Sequence, residues 1–208
     1  MASRDAILKG ARVMGEPALK DDGLFTYGDY AAWPDDERWE LVDGVAMAMA
    51  APSAAHQRVL LKLMRVFADY LDDKPCEVFI APFDVLIPDG DEDDDEVDSV
   101  VQPDLMVFCD RKKVLTKYAR GAPELAVEIL SPSTSKWDQN DKFRRYERAG
   151  VREYWVVDPL GKWINVYSLN DKGKFGRGDL YEPLTPRGPA PSKLLQGFSI
   201  DPAVLFAD

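Results

Sequence analysis

Three residues stand out for the chemistry their surroundings would force on them. Glu128 lies inside Leu125-Ala126-Val127-Glu128-Ile129-Leu130, an otherwise apolar run. A carboxylate there is costly to bury unless a metal ion, a basic partner or a proton compensates it; the plain alternative is a strand residue facing a solvated edge. Asp104 follows Pro103 and opens a second apolar run, Leu105-Met106-Val107-Phe108-Cys109. Proline is tolerated at a strand's start, so Asp104 sits at the mouth of that strand; taken alone it is an ordinary loop-end aspartate. On neighbouring strands the two carboxylates can converge at one sheet end, and two such oxygens, completed by phosphate and water, suit Mg2+. Lys142 lies one turn beyond Asp138 on the helix that follows the Glu128 run, beside Phe143 and Tyr146. From there it can reach over the same sheet end. The alternative is a solvent-facing lysine paired with Asp138 at i, i+4, worth about 0.2–0.5 kcal/mol.

The elements that must position these residues follow from patterning. Residues 1–24 carry weak periodicity and mixed charge and read as a mobile N-terminal arm; residues 25–208 read as one domain. Thr26 suits the N-cap of a short helix that Pro34 halts. Residues 38–50 read as a hairpin about the Asp43-Gly44 turn. Ser53 can cap a helix to about Leu71, because Val59, Leu60, Leu63, Met64, Phe67 and Leu71 recur at the spacing of one buried face. Residues 77–87 read as a strand, and the runs holding Asp104 and Glu128 read as central strands covered on both faces. A helix over residues 137–149 stops at Gly150, and strands follow over 153–158 and 162–169. The expected fold is α/β: helix, three strands, helix, strand, with a mixed central sheet flanked by helices, an N-terminal hairpin and extra C-terminal strands.

Other chemistries are excluded by what is missing. The single histidine, His56, rules out any site built on two histidines of one chain, and no GxSxG, Walker GxxxxGK[ST] or GxGxxG motif occurs. The longest apolar run, residues 45–51, is far short of the roughly 20 residues a membrane span needs. No secretory signal precedes the domain, and Cys76 and Cys109, distant and in apolar contexts, read as two buried free thiols; the expected location is cytoplasmic.

These residues fall in an order that resembles a known family. Trp39-Glu40-Leu41-Val42-Asp43-Gly44, Pro52-Ser53 with His56-Gln57, and Val101-Gln102-Pro103-Asp104-Leu105 come first. Val127-Glu128-Ile129-Leu130-Ser131-Pro132-Ser133-Thr134, Asp138 with Lys142 and Tyr146, and Gly150-Val151-Arg152-Glu153-Tyr154-Trp155-Val156-Val157-Asp158-Pro159 follow. Together, over residues 26–206, they are similar to the bacterial Uma-type putative restriction endonucleases, a domain-of-unknown-function family of the PD-(D/E)XK nuclease superfamily. That resemblance implies a restriction-endonuclease-like core and hydrolysis of DNA phosphodiesters assisted by Mg2+ or Mn2+. Asp104 and Glu128 would hold the metal, and Lys142 would orient the attacking water. The usual lysine position, two residues after the glutamate, holds Leu130; some superfamily members carry the lysine on the following helix, as Lys142 would. Glu40 would be a further ligand or a hydrogen-bond acceptor for metal-held water. His56 would contact phosphate or move a proton, or else bond the backbone at its helix start. Asp84 and Tyr146 would support the site. A homodimer is implied, since cutting a duplex needs two sites. A catalytically silent nuclease fold that binds DNA or a protein partner is the second reading, and a small-molecule hydrolase or transferase the third.

The formal charge of −11 weighs against a phosphate substrate at first sight. Eight acids fall within residues 89–98, part of an acidic loop spanning 88–99, and without them 29 acidic residues face 26 basic ones. Residues 104–152 hold 11 basic and 7 acidic side chains. The loop fits no EF-hand register. It is expected to be solvated and self-repelling, and a phosphate mimic over a basic groove is one role for it.

Overall fold

A hairpin begins the ordered core, and its turn dictates its residues. The computed structural model describes residues 17–18, 20, 23–34, 37–132 and 135–207, so the expected N-terminal arm lies mostly outside the described residues. Within that arm the short strand β1 (Pro17–Ala18) pairs with β3 (Val45–Ala48), which pairs in turn with β2 (Trp39–Val42). Asp43 and Gly44 join β2 to β3 with φ of 51° and 72°, the left-handed pair a two-residue hairpin turn needs. A Cβ on Gly44 would lie 2.3 Å from the Leu24 Cβ, so the position admits only glycine. The helix α1 (Tyr27–Tyr30) precedes this hairpin, with Asp29 accepting from the Thr26 N–H at 3.1 Å.

The long helix α2 (Ala54–Leu71) starts where Ser53 accepts from the His56 N–H at 3.2 Å. It buries Val59, Leu60, Leu63, Phe67 and Leu71, as the periodicity predicts, and adds His56 to that face. Three strands follow, β4 (Glu77–Ile80), β5 (Asp84–Leu86) and β6 (Val100–Val101). The expected single strand over residues 77–87 is therefore two. Pro82, which has no N–H for a ladder, falls at the break, and the halves join different sheets. The remaining strands are β7 (Leu105–Phe108), β8 (Tyr118–Arg120), β9 (Leu125–Ile129), β10 (Glu153–Asp158), β11 (Trp163–Ser168), β12 (Asp179–Tyr181), β13 (Ala190–Pro191) and β14 (Ser199–Ile200). Between β9 and β10 a π-helical turn, Trp137–Lys142, runs into α3 (Phe143–Arg148), and α4 (Pro202–Leu205) lies near the C-terminus.

The central sheet has the order β12-β11-β10-β9-β7-β4 and is mixed, β9 and β10 being parallel. A second six-stranded sheet, β1-β3-β2-β6-β5-β8, and the β13-β14 pair complete the set. Alternation sorts the central strands. Leu105, Val107, Leu125, Val127, Ile129, Trp155 and Val157 pack on α2. Met106, Phe108, Ala126, Tyr154 and Val156 pack on the other face against Tyr146 of α3 and Val42, Val85 and Val101 of the second sheet. Glu128 shares the parity of Ala126, so it points into the layer between the sheets.

Two expectations are corrected here. Cys76 and Cys109 are not free thiols but a disulfide. Glu77 stands opposite Phe108 in the antiparallel β4–β7 pair, and one residue further the register sets Cys76 opposite Cys109. The free thiols behind the expected reducing compartment are thus gone; among the described residues no helix is long and apolar enough to cross a membrane. The acidic loop is largely exposed, as expected, but cations pin two of its acids instead of leaving them all to repel one another. Asp94 accepts from Arg120 Nε at 2.7 Å and from the Tyr118 hydroxyl, and Asp89 pairs with Arg145 and Arg148. Arg145 holds the Asp89 carboxyl below the usual range, as the Tyr118 and Arg120 bonds do for Asp94.

Candidate active site

Register brings the two predicted carboxylates together. Leu105 opposes Val127 across the antiparallel β7–β9 pair, so one residue further Asp104 opposes Glu128 on the same face. Cross-strand neighbours have Cβ atoms about 5 Å apart. Both residues line a cavity of about 60 Å³, with Asp138, His56, Gln57, Arg38 and Ser131 also on its wall. That volume holds more than one water, each of which needs roughly 10–15 Å³ by the same measure.

Glu128 is 3% exposed, which removes the solvated-edge alternative. Its Oε1 accepts from the Tyr146 hydroxyl at 2.7 Å and lies 2.5 Å from Lys142 Nζ. Lys142 is wholly buried, not solvent-facing: its ammonium also meets Glu40 Oε1 at 2.9 Å and Asp138 Oδ1 at 3.7 Å. Glu40 accepts from the Gln102 N–H at 2.7 Å and from Trp137 Nε1 at 3.3 Å. The π-helical turn sets Trp137, Asp138 and Lys142 on one inward face. Two side chains serve the backbone where that turn widens: Gln139 donates to the Ser135 carbonyl at 3.1 Å and Asn140 to the Lys136 carbonyl at 2.8 Å.

Asp104 uses one oxygen twice. Its Oδ2 accepts from the Ile129 N–H at 2.7 Å and lies 3.1 Å from His56 Nε2. Among the described residues, neither Asp104 Oδ1 nor Glu128 Oε2 has a partner. No group of three His, Cys, Asp or Glu donors able to hold a metal occurs among the described residues. Two carboxylates alone, with phosphate and water in the other positions, are a donor set that Mg2+ accepts.

Charge is unbalanced at this site. Three carboxylates, Glu40, Glu128 and Asp138, surround one buried ammonium, and Asp104 adds a fourth negative charge on the same cavity. Burial pushes the Glu128 carboxyl well above its ordinary value; Lys142 opposes this, while Asp138, Asp104 and Glu40 add to it. Burial alone would lower Lys142, but Glu128, Glu40 and Asp138 hold its ammonium well above the usual lysine range. Negative charge facing this cavity favours an added cation.

The structure thus unites Asp104, Glu128, Lys142, Glu40, His56 and Tyr146. Lys142 is not on the cavity wall; it stands behind Glu128. Asp84 is one step removed: it accepts from the Tyr30 hydroxyl at 2.9 Å and from Gln102 Nε2 at 2.8 Å. Sequence reasoning passed over Arg38, Gln102 and Trp137. Gln102 carried a signal, as a polar amide between the apolar β6 and Pro103.

A mixed sheet bearing paired carboxylates at one end, with helices on its faces, places the chain in the restriction-endonuclease-like class. The crystal structure of a putative nuclease of the DUF820 family from Anabaena variabilis has this fold, with a TM-score of 0.70 at 17% identity over 88% of this chain and 97% of that one. The family model Uma2, described as putative restriction endonuclease, matches residues 27–203, and the chain belongs to that family. Two uncharacterized Synechocystis proteins are relatives. One, slr1290, is 29% identical over 70% of this chain and 74% of its own length. The other, sll1609, is 29% identical over 63% of this chain and 72% of its own.

Proposed function

We propose that the chain is a divalent-metal-dependent deoxyribonuclease that hydrolyses DNA phosphodiesters at the Asp104–Glu128 cavity. The observation that carries this reading is the pair of unpartnered carboxylate oxygens on one cavity, backed by a buried ammonium. Family membership and the nuclease fold agree with it. Mg2+ or Mn2+ held by Asp104 and Glu128 would supply charge against the phosphate and acidify a water. In the reaction a water oxygen bonds to phosphorus, a bridging P–O bond breaks, and a phosphomonoester and a hydroxyl remain.

The chain's own residues prepare that step. Tyr146 and Lys142 together fix Glu128 Oε1, which aims the remaining oxygen. Lys142 opposes the burial that disfavours an ionised Glu128, so its part is played through Glu128 rather than on the water. His56 and the Ile129 N–H fix Asp104 in the same manner. Glu40 anchors Lys142 and so supports the site instead of ligating metal. Cutting both strands of a duplex calls for two such sites, so the reading carries a homodimer with it.

The test is incubation of supercoiled plasmid and single-stranded DNA with Mg2+ or Mn2+, beside Asp104→Asn and Lys142→Met proteins. Metal-dependent nicking that both substitutions abolish is expected. Equal cleavage by the variants would reject the site. Intact binding without cleavage under either metal would favour the silent DNA-binding protein.

A further inference from the structure

Arg38 lines the cavity, and it is the one Lys or Arg side chain on that wall among the described residues. Its guanidinium donates to a single acceptor, Gln102 Oε1, from Nη2 at 2.7 Å and Nε at 3.2 Å. Among the described residues no carboxylate lies within ion-pair distance of it, and Nη1 has no hydrogen-bond partner. Neighbouring chemistry fixes which way the Gln102 amide points. Arg38 can only donate, and Asp84 as a carboxylate can only accept, so the carbonyl must face Arg38. The amide nitrogen then donates to Asp84 Oδ1 at 2.8 Å and to the Tyr30 hydroxyl at 3.2 Å, and the Gln102 backbone N–H donates to Glu40.

This is an unusual way to hold an arginine. Where the role is only structural, a carboxylate neutralises the guanidinium, as Asp89 does for the buried Arg145. Gln102 orients two of the donors yet leaves the charge unspent, and the planar fork of arginine suits two oxygens of one phosphate. On a wall that also carries Asp104, Glu128 and Asp138, such a cation serves an anion that arrives from outside.

We propose that Arg38 is the phosphate-binding residue of the site and that Gln102, anchored on Asp84 and Tyr30, is its positioning residue. The proposal rests on the reading of the cavity as a DNA site, and it names the group that grips the scissile or adjacent phosphate. It also gives Asp84 its place, as the anchor of the residue that aims Arg38.

The test is binding of a fluorescent duplex by the full chain in EDTA, by anisotropy across a salt series, with Arg38→Gln, Arg38→Lys, Gln102→Leu and Asp104→Asn. Arg38→Gln should weaken binding about tenfold or more, and should make the slope of log affinity against log salt shallower by about 0.9, the value for one lost phosphate contact. Arg38→Lys should keep the slope while recovering only part of the affinity, because a lysine lacks the fork. Gln102→Leu should also keep the slope, and in the cleavage assay should raise KM more than it lowers kcat. Urea midpoints equal to the parent's would confirm that these variants are folded. An Arg38→Gln protein with the parent's slope and affinity overturns the proposal, even if Asp104→Asn has lost cleavage. A shallower slope in Arg38→Gln beside full cleavage by Asp104→Asn would sustain it and sink the proposed metal site. A parent that binds no duplex overturns both.

Discussion

Replacing Lys142 with methionine keeps the length of the side chain and removes its charge. In the folded protein that ammonium lies 2.5 Å from Glu128 and 2.9 Å from Glu40, wholly out of solvent. Methionine strands both carboxylates, with Asp138 beside them, in the layer between the sheets. They keep some neutral donors: Tyr146 on Glu128, and Gln102 and Trp137 on Glu40. The expected loss is therefore that of breaking a buried ion pair, about 3–5 kcal/mol. With a urea dependence of about 2.5 kcal/mol per molar, the unfolding midpoint should fall by about 1–2 M at neutral pH. The stranded acids can recover by taking protons. Their folded pKa values then exceed their unfolded ones, the folded state binds the extra proton, and the variant gains stability as pH falls. The deficit should accordingly be smaller at pH 5 than at pH 8. A midpoint shift under about 0.4 M, or a deficit indifferent to pH, would refute the buried-cluster account.

Two further expectations concern residues remote from the cavity. The Cys76–Cys109 disulfide closes a 33-residue separation. Replacing both cysteines by serine should cost about 3–4 kcal/mol on a chain-entropy estimate, read from non-reducing thermal unfolding; an unchanged midpoint would show that the bridge does not form. Glu153 is buried on Ser192 and the Lys193 and Leu194 N–H groups, and burial raises its carboxyl despite those bonds. A raised carboxyl favours folding while protonated, so its contribution is fully present below the unfolded value near 4 and is lost as pH rises through the folded one. Glu153→Gln should flatten the stability profile over that window, and a profile unchanged by the substitution would contradict the assignment.

What could be read from the chain, and what could not, divides along physical lines. The α2 face was legible because its apolar positions repeat over 18 residues, enough turns for the period to be unambiguous. The Asp43-Gly44 hairpin was legible because few residues tolerate two positive φ angles in succession. Glu128 and Asp104 announced themselves as charges attached to apolar strands. Their meeting depended on the β7–β9 register, which no local pattern states. The same is true of Cys76 and Cys109, whose pairing is a register fact about β4 and β7. Lys142 was legible as a residue able to reach the sheet end, with a surface lysine paired to Asp138 as the alternative; its burial came from the π-helical turn and its inward face, which no local pattern states. Gln102 and Arg38 were hidden for another reason. Their significance lies in a hydrogen-bond chain spanning residues 30 to 102, and each residue alone is unremarkable in type.

The central claim is that Asp104 and Glu128 share one divalent cation. Calorimetric titration of the metal-free protein with Mn2+ tests it most directly, set beside Asp104→Asn and Glu128→Gln proteins whose folding has been checked by urea unfolding. One Mn2+ per chain in the parent, lost in both variants, is the predicted result. Binding of the same stoichiometry and affinity in all three proteins would contradict the account.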